Sequence, residues 1–374
     1  MNRRKMLLAL AAAGAIGALP RLASANGSKQ ALIGAAWRGP SPGDPYFAGV
    51  LVADWEAKRL TIRYAVPLPT RPHGLLAESD GGLLVLGARP GAWILRCDGD
   101  GKTMRQIRLD DDGAMARLGG HVALSADGGH LYTTETDFRD GRGKVAVRDR
   151  RTLRKIAEWE THGIDPHQLL LDAHGNLVVA NGGVPRSMED KKHDLQRMDS
   201  SLVRIDANSG TLLRQWRLDD PRLSLRHMAW NTDGKGQARL GVAMQAEHSD
   251  PIQRRAAPIL AVLEGDRLAV PTRAHDGIGY AGDIAAAGDG GFVTSSNQAG
   301  LAQLWQPASP DALAAIVSIK EAYALAPWAG RSRGGVLIAT ALGLGRWHPS
   351  ETPALLPWPQ PMALDNHWVS MEGG

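Results

Sequence analysis

Residues 119–136, GGHVALSADGGHLYTTET, read as a strand over 121–125, a tight Asp127-Gly128-Gly129 turn and a second strand over 131–134. Asp-Gly between two runs of alternating apolar residues is a strong hairpin signal, because glycine accepts the positive φ such turns demand. Aligning the rest of the chain on this hairpin gives a register. Inner strands start at 71–75, 120–123, 165–169, 225–229, 282–285 and 323–326. The steps from His73 to His121, His167, His227 and Asp283 are 48, 46, 60 and 56 residues, as loops of varying length on a fixed unit produce.

Each inner strand is followed by a glycine turn, mostly with Asp, as in Asp80-Gly81-Gly82, Asp233-Gly234 and Asp289-Gly290-Gly291. Second, third and in most units fourth strands come next, for example 177–180, 202–206 and 211–218. Four strands per unit of this length are the signature of propeller blades. The ends complete the count. Residues 31–36, 49–54 and 60–66 supply three strands with no inner strand before them, and 363–369 is an inner strand with nothing after it. Shared between the termini, these form one composite blade, and the expected fold is an all-β, seven-bladed β-propeller. Such closure removes the open sheet edges that template aggregation. A six- or eight-bladed ring and an open β-sandwich are the alternatives.

Residues 1–25 are expected to be a twin-arginine signal peptide and 26–374 a single propeller domain. Arg3-Arg4-Lys5 opens the segment, a mild Ala/Gly/Leu stretch follows, and Ala23-Ser24-Ala25 is a small-residue cleavage site. The apolar run is too short for a membrane span, which needs about 20 residues. A periplasmic protein, cut after Ala25 and without a membrane span, is the expected product. The signal holds four of the 43 basic residues and no acid, so 39 basic residues remain against 39 acidic ones. The high isoelectric point therefore belongs to the export signal, and no basic face for nucleic acid remains. Cys97 is the single cysteine, so no intrachain disulfide can form and stability must come from a core. At the end of its strand it reads as a semi-buried structural thiol.

The register places His73, His121, His167, His227 and His367 at one equivalent position, with Asp283 taking it in a sixth blade. Inner strands surround a propeller axis, so these side chains can converge at one channel mouth. Neutral imidazole is the commonest transition-metal ligand, and such a ring can hold copper, zinc or iron. His121, His167, His227 and His367 are the metal-ligand candidates. The competing reading is scaffold: a repeated His that hydrogen-bonds backbone in its own blade. Second-strand ends on the same face add Arg38, Arg89, Glu135, Asp137, Asn181, Arg186, Gln245, Glu247 and Asn297 to the pocket. Arg38 and Arg89 beside carboxylates can grip an acidic ligand bidentately. Long polar loops over 38–46, 182–201 and 246–258 emerge on that face, where binding residues on β scaffolds tend to sit. Zinc, c-haem, nucleophile-elbow, phosphate-loop and dinucleotide signatures are absent. Trp93, Trp159, Trp216, Trp305 and Trp347 fall on third or fourth strands, as packing between blades requires.

The unit from Pro166-His167-Gln168-Leu169 to Ala180-Asn181 resembles the repeat of lactonase-type and surface-layer-type propellers. More specifically, Ser224–Ala229, Ala243-Met244-Gln245, residues 195–202 and Asp365-Asn366-His367-Trp368 resemble a bacterial family of twin-arginine-exported propellers described only as a domain of unknown function. Around Ser295-Ser296-Asn297-Gln298 the chain departs from the family pattern. That resemblance implies an iron- or metal-uptake setting beside imelysin-like periplasmic proteins, one of which is the implied partner. The His ring also resembles in outline the copper centre in the propeller domain of nitrous oxide reductase, without that enzyme's cupredoxin domain. The expected function is a periplasmic binding or assembly module for a small-molecule or protein ligand, linked to metal handling. The alternative is a metal-dependent, lactonase-like hydrolase with its site at the channel mouth.

Overall fold

The structure, a computed structural model, describes residues 30–109, 115–273, 276–328 and 334–371. The expected signal, residues 1–25, lies outside them. Among the described residues, seven antiparallel sheets of four strands stand in a ring. The inner strands are Pro72–Ala77, Ala116–Leu124, Pro166–Leu171, Leu223–Thr232, Asp283–Ala286, Leu325–Trp328 and Ala363–Met371. The last of these pairs with Gln30–Arg38, setting Leu32 opposite Met371 and Arg38 opposite Ala363. The two ends of the chain thus close the ring in one composite blade.

Strand periodicity builds the core. Successive side chains of a strand point to opposite faces, and here both faces of most central strands meet a neighbouring blade. Leu83 and Val85 pack towards the composite blade, whereas Leu84 and Leu86 pack towards the blade that follows. Leu177 and Val179 face backwards in the same way, and Val178 and Ala180 face forwards. The buried apolar residues accordingly fall into clusters that each bridge two adjacent blades. Trp93, Trp216 and Trp305 are buried in them, and Trp159 and Trp347 pack at their edges. Cys97 is fully buried beside the Leu83 carbonyl, and burial pushes its thiol up, so it is a core residue.

The decisive hairpin forms as the sequence requires. Gly128 has φ 69°, and Asp127 Oδ1 accepts from Ser125 Oγ at 2.6 Å and from the Gly129 N–H at 2.9 Å. Two outer strands carry no clear sequence signal, Arg267–Ala269 and Glu351–Leu356. The first is only three residues long and the second contains Pro353, both common at a sheet edge. The loop over 246–258 holds a short helix, Pro251–Ala256, capped by Asp250. No helix of the described residues is long and apolar enough to cross a membrane.

Candidate functional site

Five inner strands carry a β-bulge, and each bulge falls at or beside a histidine. Pairing breaks register between Pro72 and Leu75, Leu118 and Val122, Pro166 and Leu169, and Leu225 and Met228. It breaks again between the partners Leu364 and Trp368. These intervals contain His73, His121, His167, His227 and His367. The inner strands at Asp283 and Leu325 pair without a break and carry no histidine. Bulges re-aim side chains, and here they turn the imidazoles towards the axis. Gly120 serves the same approach: its φ is 104°, and a Cβ there would stand 2.7 Å from the His73 ring.

The five imidazoles are buried and in contact. Nine of the ten pairs among His73, His121, His167, His227 and His367 have ring centroids between 4.2 and 6.1 Å apart. His167 Nε2 is 2.7 Å from His227 Nε2, and His367 Nε2 is 3.2 Å from His73 Nε2. His73, His121, His227 and His367 each offer a ring nitrogen within 4.8 Å of the other three. His73 thus joins the tightest set, and His167, expected there, stands against its edge through His227. His121 Nε2 and His167 Nδ1 have no hydrogen-bond partner among the described residues, and His227 also bonds the Gly282 backbone. Burial, then the neighbouring imidazoles and arginines, hold all but His73 well below the ordinary imidazole range. Burial lowers His73 too, against the pull of Asp365.

Two carboxylates stand behind the ring. Asp365 Oδ1 lies 3.6 Å from His73 Nδ1, and Arg71 Nε donates to Asp365 Oδ2 at 2.7 Å. Burial opposes the charge on Asp365, but His73 and Arg71 outweigh it and hold the group at about 2. Asp283 Oδ1 lies 3.7 Å from His367 Nδ1. Its carboxylate also accepts from the N–H groups of Ile284 and Leu325, so it ties two blades together. Burial nevertheless pushes Asp283 up to about 8.

The other expected pocket residues divide. Arg89 and Arg186 reach the buried Asp165, at 3.0 and 3.3 Å, and both also hold Asp190. Glu247 is bound by Lys192. Gln245 donates to the Ala281 carbonyl, and Asn297 is half-buried beside Gly282. Arg38 donates to the neighbouring Gly39 carbonyl rather than to anything in the ring, and Asp137 is held by Arg139. Two residues correct the sequence reading. Glu135 turns between blades, where Arg148 and Lys155 hold it in a side groove of about 530 Å³ lined also by Ile107 and Leu109. Asn181 ties blades together by donating to the Thr161 carbonyl and to Ser201 Oγ. Both sit at the right height on their strands, but strand alternation sends their side chains elsewhere.

Sequence reasoning passed over Asp365, Asp165, Arg71 and Arg226. A signal existed: Arg71, Asp165 and Asp365 each stand two residues before a ring histidine, and Arg226 stands one before His227.

The fold has many solved likenesses. A protein from Lactobacillus plantarum superposes with a TM-score of 0.63 at 14% identity, covering 92% of this chain and 100% of that one. Hydrazine synthase of Kuenenia stuttgartiensis gives 0.58 at 14%, covering 87% and 96%. The periplasmic gluconolactonase of Pseudomonas aeruginosa gives 0.54 at 14%, covering 82% and 89%. At these identities the likeness is one of fold, and propellers host unrelated functions. No curated protein sequence matches the chain. The model of one protein family matches residues 66–371, from the end of the first blade's outer strand to the closing inner strand, and the chain therefore belongs to DUF1513, a family of proteins of unknown function.

Proposed function

We propose that this protein is a periplasmic metal-binding propeller, exported folded by the twin-arginine route, that holds one first-row transition-metal ion in its axial ring of imidazoles. The observation that carries the reading is the set His73, His121, His227 and His367, four buried ring nitrogens within 4.8 Å of one another. Four neutral nitrogen donors without thiolate suit copper or zinc, and the Irving–Williams order puts copper(II) first. Asp365, 3.6 Å behind His73, and Asp283, 3.7 Å behind His367, support the reading as outer groups within reach of metal-bound imidazoles.

The scaffold reading fits less well. A scaffold histidine would recur in every blade, whereas here the histidines go with the bulges and the two unbulged inner strands lack them.

Titration of the purified protein with copper(II) and zinc(II) tests the proposal. Wild type is expected to take up one equivalent, and His227→Ala to lose at least about a hundredfold in affinity with its thermal midpoint in the metal-free form within a few degrees of wild type. A variant that melts much earlier yet binds metal as wild type does would return these residues to the scaffold.

A further inference from the structure

A second group of charges adjoins the imidazoles, and packing of the ring does not need it. Arg226, beside His227 in the same bulge, is 1% exposed, yet its Nε, Nη1 and Nη2 have no hydrogen-bond acceptor among the described residues. Nη1 lies 3.0 Å from Asp165 Oδ2, out of line for a hydrogen bond. Asp165 is shared with Arg89 and Arg186, which also hold Asp190. Three guanidiniums therefore face two carboxylates, with Arg226 and Asp165 at the buried end and Arg89 and Asp190, 20% and 34% exposed, at the open end. Lys192 at the edge is already neutralised by Glu247.

This state is not general to buried arginines of the chain. Arg148, equally buried, donates to Thr133 Oγ1, the Leu153 carbonyl and Glu135. Buried donors are ordinarily satisfied, and a guanidinium with unmatched N–H groups marks a place for an acceptor. The fork of a guanidinium matches a planar carboxylate with two parallel bonds, and a surplus of one positive charge matches one carboxylate better than a phosphate dianion.

We infer that Arg226, flanked by Arg89 and Arg186, binds a carboxylate group of a small organic acid beside the imidazole ring. Arg226 immediately precedes His227 in the same bulge, which places this site beside the ring. A carboxylate held there also lies beside the metal, and that last point alone rests on the metal reading above.

Calorimetric titration of the full chain as purified, stripped of metal with a chelator, separates the two ideas. Lactate, a monocarboxylate, and inorganic phosphate are the probes, at constant ionic strength. Wild type is expected to bind lactate more tightly than phosphate and to melt later in its presence. Arg226→Gln should weaken lactate at least about tenfold, while Asp165 keeps Arg89 and Arg186 and the ligand-free variant still folds. Wild type that binds no lactate, or an Arg226→Gln protein that binds it equally well, overturns the inference. Tighter binding of phosphate overturns the assignment to a carboxylate. If Arg226→Gln does not fold, the wild-type comparison of lactate with phosphate decides by itself. Lactate binding in a protein that takes up no metal leaves the anion site standing and removes the metal reading; metal uptake without lactate binding removes only the anion site.

Discussion

His227 Nε2 lies 2.7 Å from His167 Nε2, a spacing at which one ring must donate the proton that the other accepts. Such contacts, repeated between His367 and His73, make the ring a set of mutually dependent tautomers without surplus protons. The convergence was legible from the register. The charged residues beside it were not, because Asp365 looks like an ordinary strand-end residue until its bulge turns it inwards, and Asp165 like an ordinary turn residue. Glu135 shows the opposite failure. Burial opposes its charge, but Arg148 and Lys155 prevail and hold it below the ordinary carboxylate range. Glu135→Gln leaves the Arg148 charge buried without a counter-ion, and denaturant titration at pH 7 should show a loss of about 3 kcal/mol. The stabilisation from Glu135 is present above its unfolded-state value of about 4.3 and lost as pH falls through the lower folded value. The gap between wild type and variant should therefore narrow in acid, and metal uptake should stay unchanged.

The unit of cohesion among the elements is the interface between neighbouring blades. Leu131 is fully buried between the first and second bulged blades, together with Leu84, Leu86, Ile94 and Leu118. Leu131→Ala should cost about 2–5 kcal/mol by chemical denaturation, because neighbours held in sheets cannot collapse into the void. A loss under about 1 kcal/mol would mean that the interface is looser than the packing implies. The hairpins and their order could be read from Asp-Gly turns and alternating apolar residues. The bulges could not, since in inner strands as short as Pro72–Ala77 a one-residue shift of the alternation leaves too few residues on either side to register. The short edge strand Arg267–Ala269 escaped for a related reason: three residues are too few for periodicity to register.

For the molecule as a whole, closure was the most legible feature, because incomplete blades at the two ends of one chain complement each other. Removing residues 363–374 deletes the strand that covers Gln30–Arg38 and with it His367. Light scattering should show the truncated protein associating through the exposed edge, and its thermal transition should fall or vanish. A monomeric truncated protein with a wild-type melting curve would contradict the ring. Closure also matters for the site, since the imidazoles belong to strands that only a closed ring brings to one axis.

Elemental analysis of the protein purified from periplasm without chelators tests the metal reading most directly. The account predicts about one equivalent of a single first-row transition metal, copper before zinc, absent from a protein in which His73, His121, His227 and His367 are replaced by Ala. Metal well below one equivalent in wild type, or equal metal in the two proteins, would contradict it.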